Sequence, residues 1–493
     1  EDISGIPWNK PTDQTTAKET NMTVVLDVEN PNNEFLSGNY GPVAKEVSSS
    51  QMEIIGKIPQ GLSGAFLRVG PNPVHVDSIE DYHWFDGDGM IHEVQFENGN
   101  ANYRNRFVQT DGLKLEAEKG RSLWKGLKSP PDLMNEHGMF KNAANTALVF
   151  QANKLYALWE GGNPTELKVP SLDTVGETDF DGKLTHPFTA HPKVDAHTGE
   201  MITFGYNMMG PDYCHHSVID KDGNLIKTVG IKLPKPVMMH DFAITENYSV
   251  LMDMPVIFDL PQLMEGGQPM RWDPENGARI GVLPRHGDAE DIKWFDIDVG
   301  FVFHTVNAYE DGDEIVLNAC RTNQTDVIGA GSNTEGEPDM PKMHQWRLNM
   351  KTGEATERCL DEVYGSEFPR INDKYMGRRN QFSYNARIGE VPAGGFNGII
   401  KYDLENETAE HIEFGEGRFG GELIFAPRDG ATDEDDGWVI GFVYDENTDS
   451  SECIVVDAKN FSDGPVARIK LPQRVPYGFH AGWVNQAGLD AQK

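Results

Sequence analysis

The 493-residue chain is short of positive charge, of cysteine and of long apolar runs. Lys and Arg total 43 against 78 Asp and Glu, a formal charge of −35. Binding nucleic acid by displacing its counterions needs the opposite sign, so that class of partner is excluded. The four cysteines, Cys214, Cys320, Cys359 and Cys453, stand far apart with no Cys-x-x-Cys pair. This spacing indicates neither a zinc ribbon nor a disulfide-stapled scaffold, and it fits a reducing compartment. No stretch approaches the roughly 18 apolar residues of a spanning helix, and the first residues lack the charged-then-apolar layout of a secretory leader. A cytoplasmic protein is expected, touching a membrane only peripherally. The acid excess also keeps copies hydrated and apart.

Helical patterns are scarce as well, above all beyond about residue 140. What is there instead is short β-rich runs joined by tight polar turns. Examples are 146–159, 216–229 around Asp222-Gly223, 301–319 around Asp311-Gly312, 343–360 around Thr352-Gly353, 395–414 and 438–457. Asp, Asn and Gly tolerate the positive φ that a two-residue hairpin loop needs. Hairpins repeating over so long a stretch without a strand–helix–strand rhythm indicate an all-β sandwich, solenoid or propeller. A seven-bladed β-propeller suits the length at roughly 50 to 70 residues per blade. Closed all-β folds of this size form one unit, so residues 1–493 are expected to be a single domain. The segments least like strands, about 112–142 and 255–275, read as cap insertions, and about 1–50 as an N-terminal extension.

Most of the 15 histidines sit in polar or turn contexts and need no special role. His215 and His216 are adjacent on an extended chain and face opposite ways, so they cannot share a metal. Four others lie beside apolar or small residues at strand ends: His191 in FTAHPKVD, His240 in VMMHDFAI, His304 in FVFHTVNAYE and His480 in YGFHAGWV. Their separations of 49, 64 and 176 residues fit no local motif. They meet only if separate blades bring them to a common axis, and without that each reads as a core histidine.

The chain resembles the carotenoid cleavage oxygenases over almost its whole length. The resemblance rests on GAFLRVGPNP (64–73), HWFDGDGMIH (83–92), YRNRFV (103–108), NTALVFQANKLYALWEGGNP (145–164) and TAHPKVDAHTGEM (189–201). It continues in MMHDFAIT (238–245), HTVNAYEDGDEIVLNA (304–319), EFPRIN (367–372), GELIFAPR (421–428) and GFHAGWV (478–484), in the family's order. It implies a seven-bladed propeller with a dome of loops and short helices over one face, and a non-haem Fe(II) on its axis. By that match His191, His240, His304 and His480 bind the iron, and Glu160, Glu367 and Glu422 stand behind the histidines. Four neutral imidazoles leave two positions of an octahedron for dioxygen or water.

The implied reaction inserts both atoms of O2 across one carbon–carbon double bond of a carotenoid or apocarotenoid, giving two carbonyl products. The stilbene-cleaving branch carries a lysine just before the first of these glutamates; Trp159 stands there instead, and an apolar wall replaces a phenol handle. A polyene has few polar groups, so its site must be apolar. Trp159, Phe303 and Phe368 are the expected wall, and Thr146 matches a position beside an open coordination site. Two segments are expected to dip weakly into a membrane, one through Leu123, Trp124 and Leu127, the other through Ile257, Phe258, Leu260 and Leu263. The competing readings are a stilbene-cleaving dioxygenase, an iron-dependent isomerase that consumes no O2, and a non-catalytic interaction platform.

Overall fold

The computed structural model describes residues 33–492 apart from 266, 268, 326–338 and 390–394. The N-terminal extension expected over about 1–50 therefore lies largely outside the described residues. Seven antiparallel sheets account for nearly all the strands. Their hairpins fall where the sequence pattern puts them, as in Ala147–Gln151 with Lys154–Leu158 and Gly437–Asp445 with Ser450–Asp457. The seven sheets are the blades of a propeller.

Both ends of the chain close the ring. In blade 1, Gly64–Pro71 is flanked on one side by Gly89–Glu97 and on the other by the C-terminal strand Ala481–Asn485. In blade 7, Pro465–Lys470 is flanked by the early strand Ile54–Gly56. The two strands thus sew the first and last blades from opposite sides. Gly64 has a φ of +144°, and a Cβ there would meet the Trp483 ring at 2.5 Å, so only glycine lets this join close. Between blades 1 and 7 runs a continuous core that includes Phe66, Phe96, Trp438, Phe442 and Val455.

The innermost strands of blades 2 to 6 are Ala147–Gln151, Lys193–Val194, Ala243–Ile244, Phe301–Asp311 and Gly365–Arg370; blade 7 offers Ile424–Pro427 and blade 1 Ala481–Asn485. They surround the axis. Over one end sits a dome. It contains the helix Asp111–Lys119, capped by the Thr110 hydroxyl and ended by Gly120 in the left-handed region. The two-stranded ribbon Val256–Phe258 with Met270–Trp272 and the short helix Leu260–Met264 complete it. Buried ion pairs tie the dome down: Lys141 bridges Asp88 and the buried Glu116, each at 2.5 Å. Glu116 in turn accepts the Leu123 backbone N–H.

Phe66 is fully buried and packs edge-on against Phe442 across the join of blades 1 and 7, with centroids 4.8 Å apart. Phe66→Ala is expected to lower stability by about 3–5 kcal/mol, against under about 0.5 kcal/mol for Ile226→Ala on the surface. Denaturant titration of both variants checks it; equal losses would mean that the join carries no special weight.

Candidate metal centre

His191 and His240 lie just ahead of the short innermost strands of blades 3 and 4, separated from them by Pro192 and by Asp241 and Phe242; His480 immediately precedes that of blade 1, and His304 lies within that of blade 5. The ring therefore delivers all four to one point. Their inward nitrogens lie within 4.8 Å of one another, with the His191 and His240 Nε2 atoms 3.0 Å apart and those of His304 and His480 3.2 Å apart. The other three blades deliver carboxylates. Glu160 of blade 2 lies 2.8 Å from His240 Nδ1, Glu367 of blade 6 lies 2.5 Å from His304 Nδ1, and Glu422 of blade 7 lies 3.0 Å from His480 Nδ1.

A carboxylate at Nδ1 accepts a hydrogen bond from the ring N–H there, which keeps the proton on Nδ1 and leaves the Nε2 lone pair pointing inward. Lone pairs brought this close repel unless a cation lies between them. Metal–imidazole bonds of roughly 2.1 Å would set neighbouring ligand nitrogens about 3.0 Å apart and opposite ones about 4.2 Å apart. The observed cluster has that size, so the residues fit a single metal ion. Protonation agrees in part. Burial and the adjacent imidazoles hold His191 well below the ordinary imidazole range, and burial takes His480 down to about 4 despite Glu422. Burial works against ionised Glu422 too, but His480 and Arg370 outweigh it and keep its carboxyl low. For His304 burial is outweighed by Glu367, and the ring is raised.

Above the histidines, under the dome, lies a cavity of about 430 Å³. All four expected pocket residues, Thr146, Trp159, Phe303 and Phe368, line it. Two of them sit next to metal-site residues in sequence, although neighbours on a regular strand face opposite ways. Irregularities in pairing resolve the conflict. Register shifts fall between Val302 and Thr305 and between Glu367 and Arg370, and Phe368 takes a φ of +49°. Such a backbone costs about 1–3 kcal/mol. It turns Phe368 into the cavity while Glu367 holds His304. The Thr146 hydroxyl donates to Asn145 at 2.9 Å, and Asn145 is itself fixed by the Phe85 and Gly87 carbonyls.

The expected membrane segments need correction. Trp124, Ile257 and Leu263 are buried, and Leu123, Leu127, Phe258 and Leu260 are half-buried. Leu127, Phe258 and Leu263 line the cavity instead. Trp124 donates its indole N–H to the Gly138 carbonyl inside the dome, and Ile257 joins the core beside blades 3 and 4. An apolar cluster in a cap reads the same whether it faces lipid, core or ligand.

The profile of the retinal pigment epithelial membrane protein family matches residues 40–485. A carotenoid 9,10(9′,10′)-cleavage dioxygenase from Pisum sativum is 41% identical over 93% of this chain and 91% of its own length. A carotenoid cleavage oxygenase from Mycobacterium tuberculosis is 32% identical over 92% of this chain and 97% of its own. The chain belongs to the carotenoid cleavage oxygenase family. Among solved structures, a lignostilbene dioxygenase from Pseudomonas brassicacearum superposes with a TM-score of 0.86 at 29% identity, covering 93% of this chain and all of that one. The cobalt-substituted Synechocystis apocarotenoid oxygenase gives 0.80 at 27%, covering 90% and 97%.

For this carotenoid cleavage oxygenase family member, the sequence reading missed much of the cavity wall, including Trp84, Phe85, Met238, Phe396 and Phe479. A signal existed for Trp84, Phe85 and Phe479, which lie inside the HWFDGDG and GFHAGWV motifs. Tyr206 was missed as well; it stacks on Phe258 and stands beside Glu160, and burial together with that carboxylate pushes its phenol well up. Glu367→Gln and Glu422→Gln are each expected to weaken metal binding about 10- to 100-fold. Titration of the metal-free protein with ferrous ion measures this, and unchanged affinity in both would contradict the carboxylate role.

Proposed function

We propose that the protein is a non-haem Fe(II) dioxygenase that cleaves a carotenoid or apocarotenoid at its 9,10 (9′,10′) double bond to two carbonyl products. The observation that carries this is the four-imidazole cluster at the floor of an apolar cavity. His191, His240, His304 and His480 would hold the iron, with Glu160, Glu367 and Glu422 fixing three of the rings. A bound ferrous ion supplies activation of O2. The bond position is supported by the four sequence relatives at 40–41% identity, each named for 9,10(9′,10′) cleavage.

The chain's own part is positioning. Trp84, Phe85, Trp159, Phe303, Phe368 and Phe479 give the polyene apolar surface worth roughly 25 cal/mol per Å² buried. They also exclude water from the reacting bond. Thr146, with its hydroxyl already committed to Asn145, restricts the space beside the metal. Holding one bond of a repetitive chain within about 3 to 3.5 Å of the reacting oxygen is where a rigid wall gains rate. Trp159 offers no base to a phenol, which favours a polyene over a hydroxystilbene.

Weak membrane docking belongs to this reading too, through residues other than those first expected. Leu133, Met134, Phe140, Met209 and Met264 are exposed, and each is a cavity-lining residue or lies within three positions of one. With a charge of −35, attachment to anionic lipid is disfavoured and only apolar insertion remains. Met134→Asp with Met264→Asp should reduce co-sedimentation with neutral vesicles at least several-fold. Unchanged sedimentation would remove the docking surface.

The decisive experiment incubates iron-loaded protein with carotenoids, apocarotenoids and hydroxystilbenes under ¹⁸O2, traps carbonyls by reduction and reads product masses. The expected result is one ¹⁸O in each product and masses of 9,10 cleavage. Cleavage of stilbenes alone would overturn the substrate, and isomerised substrate without O2 uptake would overturn the reaction. Phe303→Ala and Phe479→Ala are each expected to lower kcat/KM about 10- to 100-fold through lost apolar contact.

A further inference from the structure

A second cavity, of about 630 Å³, reaches the histidine cluster from the opposite face of the propeller. It runs along the axis; the innermost strands of six blades contribute to its wall, and blade 4 contributes Asp241 from just ahead of its strand. His304 and His480 line both cavities; His191 lines only the axial one and His240 only the one under the dome. The cluster is thus the partition between two chambers. Their walls differ in kind. Aromatic and methionine side chains dominate the dome cavity, whereas ion pairs line the axial one.

We propose that the axial cavity is the route by which a divalent metal ion reaches and leaves the four histidines, separate from the apolar cavity that takes the substrate. The inference rests on the metal-centre reading above. A hydrated dication sheds its water only where other oxygens replace it, and the dome cavity, mostly aromatic and aliphatic, offers few, its carboxylates Glu160 and Glu367 being engaged by His240 and His304. The axial route offers them in sequence. At its mouth stand the exposed carboxylates of Asp373, Asp429 and Asp433, with Lys374 and Arg428 beside them; Asp433 is paired with Lys459 at 2.7 Å and Arg428 with Asp436 at 2.8 Å, which leaves Asp373 and Asp429 to face an arriving ion. Deeper in, its cations are offset: Lys193 lies 2.7 Å from Asp241, while Arg370 lies 3.5 Å from Glu422 and donates to the Ala481 carbonyl at 3.0 Å. An incoming ion therefore meets carboxylate oxygens at the mouth and again, beside paired cations, further in. Carboxylates at a mouth attract cations and raise their rate of entry, more strongly at low salt.

A route differs from a binding site in one testable respect. Obstructing it slows entry and exit by the same factor and leaves affinity unchanged. Metal-free protein mixed with cobalt(II) gives an uptake rate by stopped-flow absorption, and transfer to a chelator gives the release rate. Ala431→Trp, which narrows the mouth without touching the histidines, is expected to slow both at least 10-fold with the same final occupancy by elemental analysis. Asp373→Lys with Asp429→Lys should slow uptake by a similar factor, an effect that shrinks as salt is raised. On the unaltered protein, filling the dome cavity with a nonionic alkyl-ether detergent should leave the uptake rate as it was. Wild-type rates in folded variants, or a block by detergent, would overturn the route while leaving the metal centre standing. Should a variant misfold by circular dichroism, the detergent arm decides alone. Failure of the unaltered protein to take up any cobalt(II) or ferrous ion would instead defeat the metal-centre reading and the route with it.

Discussion

Four imidazole nitrogens within 4.8 Å of each other, with lone pairs turned inward, are an arrangement that a chain does not adopt without constraint. Much of the rest of the structure answers that demand. Each blade contributes one residue to the centre: histidines from blades 1, 3, 4 and 5, glutamates from 2, 6 and 7. The glutamates fix which nitrogen keeps the proton, and the closed ring fixes where the nitrogens stand. Closure matters because blade 1 brings His480 at the start of its C-terminal strand, just ahead of Ala481, while blade 7 brings Glu422, its partner at 3.0 Å. The pair spans the seam of the propeller. A loosened seam would move a ligand away from its own support.

The same strands must serve two faces of the site, and regular pleating does not allow it. At Phe303–His304 and Glu367–Phe368 the pairing register slips, so consecutive side chains reach the centre and the cavity wall. The left-handed φ of Phe368 is the local cost, and pairing resumes at Arg370 after Phe368 and Pro369. Bulges of this kind re-aim side chains next to functional sites. The substrate wall and the metal cluster are therefore one rigid object, not a pocket built beside a metal.

The hairpins were legible because their turn residues and alternation are local signals. The four histidines were not legible from pattern; the motifs around them carried the reading, and only the ring geometry shows why residues up to 289 positions apart, His191 and His480, converge. The seam was also hidden, since Ile54–Gly56 pairs with residues more than 400 positions away and nothing in either strand marks its partner. Within the dome, the reading failed for Trp124, Ile257 and Leu263 because hydrophobicity states that a side chain avoids water and not what it meets instead. The apolar residues that do face solvent, such as Met134 at 90% exposure and Met264 at 61%, sit beside the buried ones in sequence. Composition cannot separate two such neighbours; a three-dimensional neighbourhood can.

The two chambers give the centre an electrical asymmetry that bears on selectivity. A polyene brings no charge and few hydrogen-bonding groups, so nothing in the dome cavity can recognise it except shape and contact area. Polar recognition would be misplaced there, because an unpaired buried donor would favour water over hydrocarbon. The charged residues that the site needs are accordingly kept behind the histidines, where Arg370 and Lys193 are matched by Glu422 and Asp241. Glu160 and Glu367 are the exceptions, since both line the apolar cavity; Glu367 is held against His304, and Tyr206, its ring stacked on Phe258, stands against Glu160. The tyrosine there keeps the wall continuous for hydrocarbon while leaving His240 its proton acceptor. On the proposed reading, the bond that comes to rest over the histidines would be set by how far a polyene slides between fixed aromatic rings, a matter of length and not of charge.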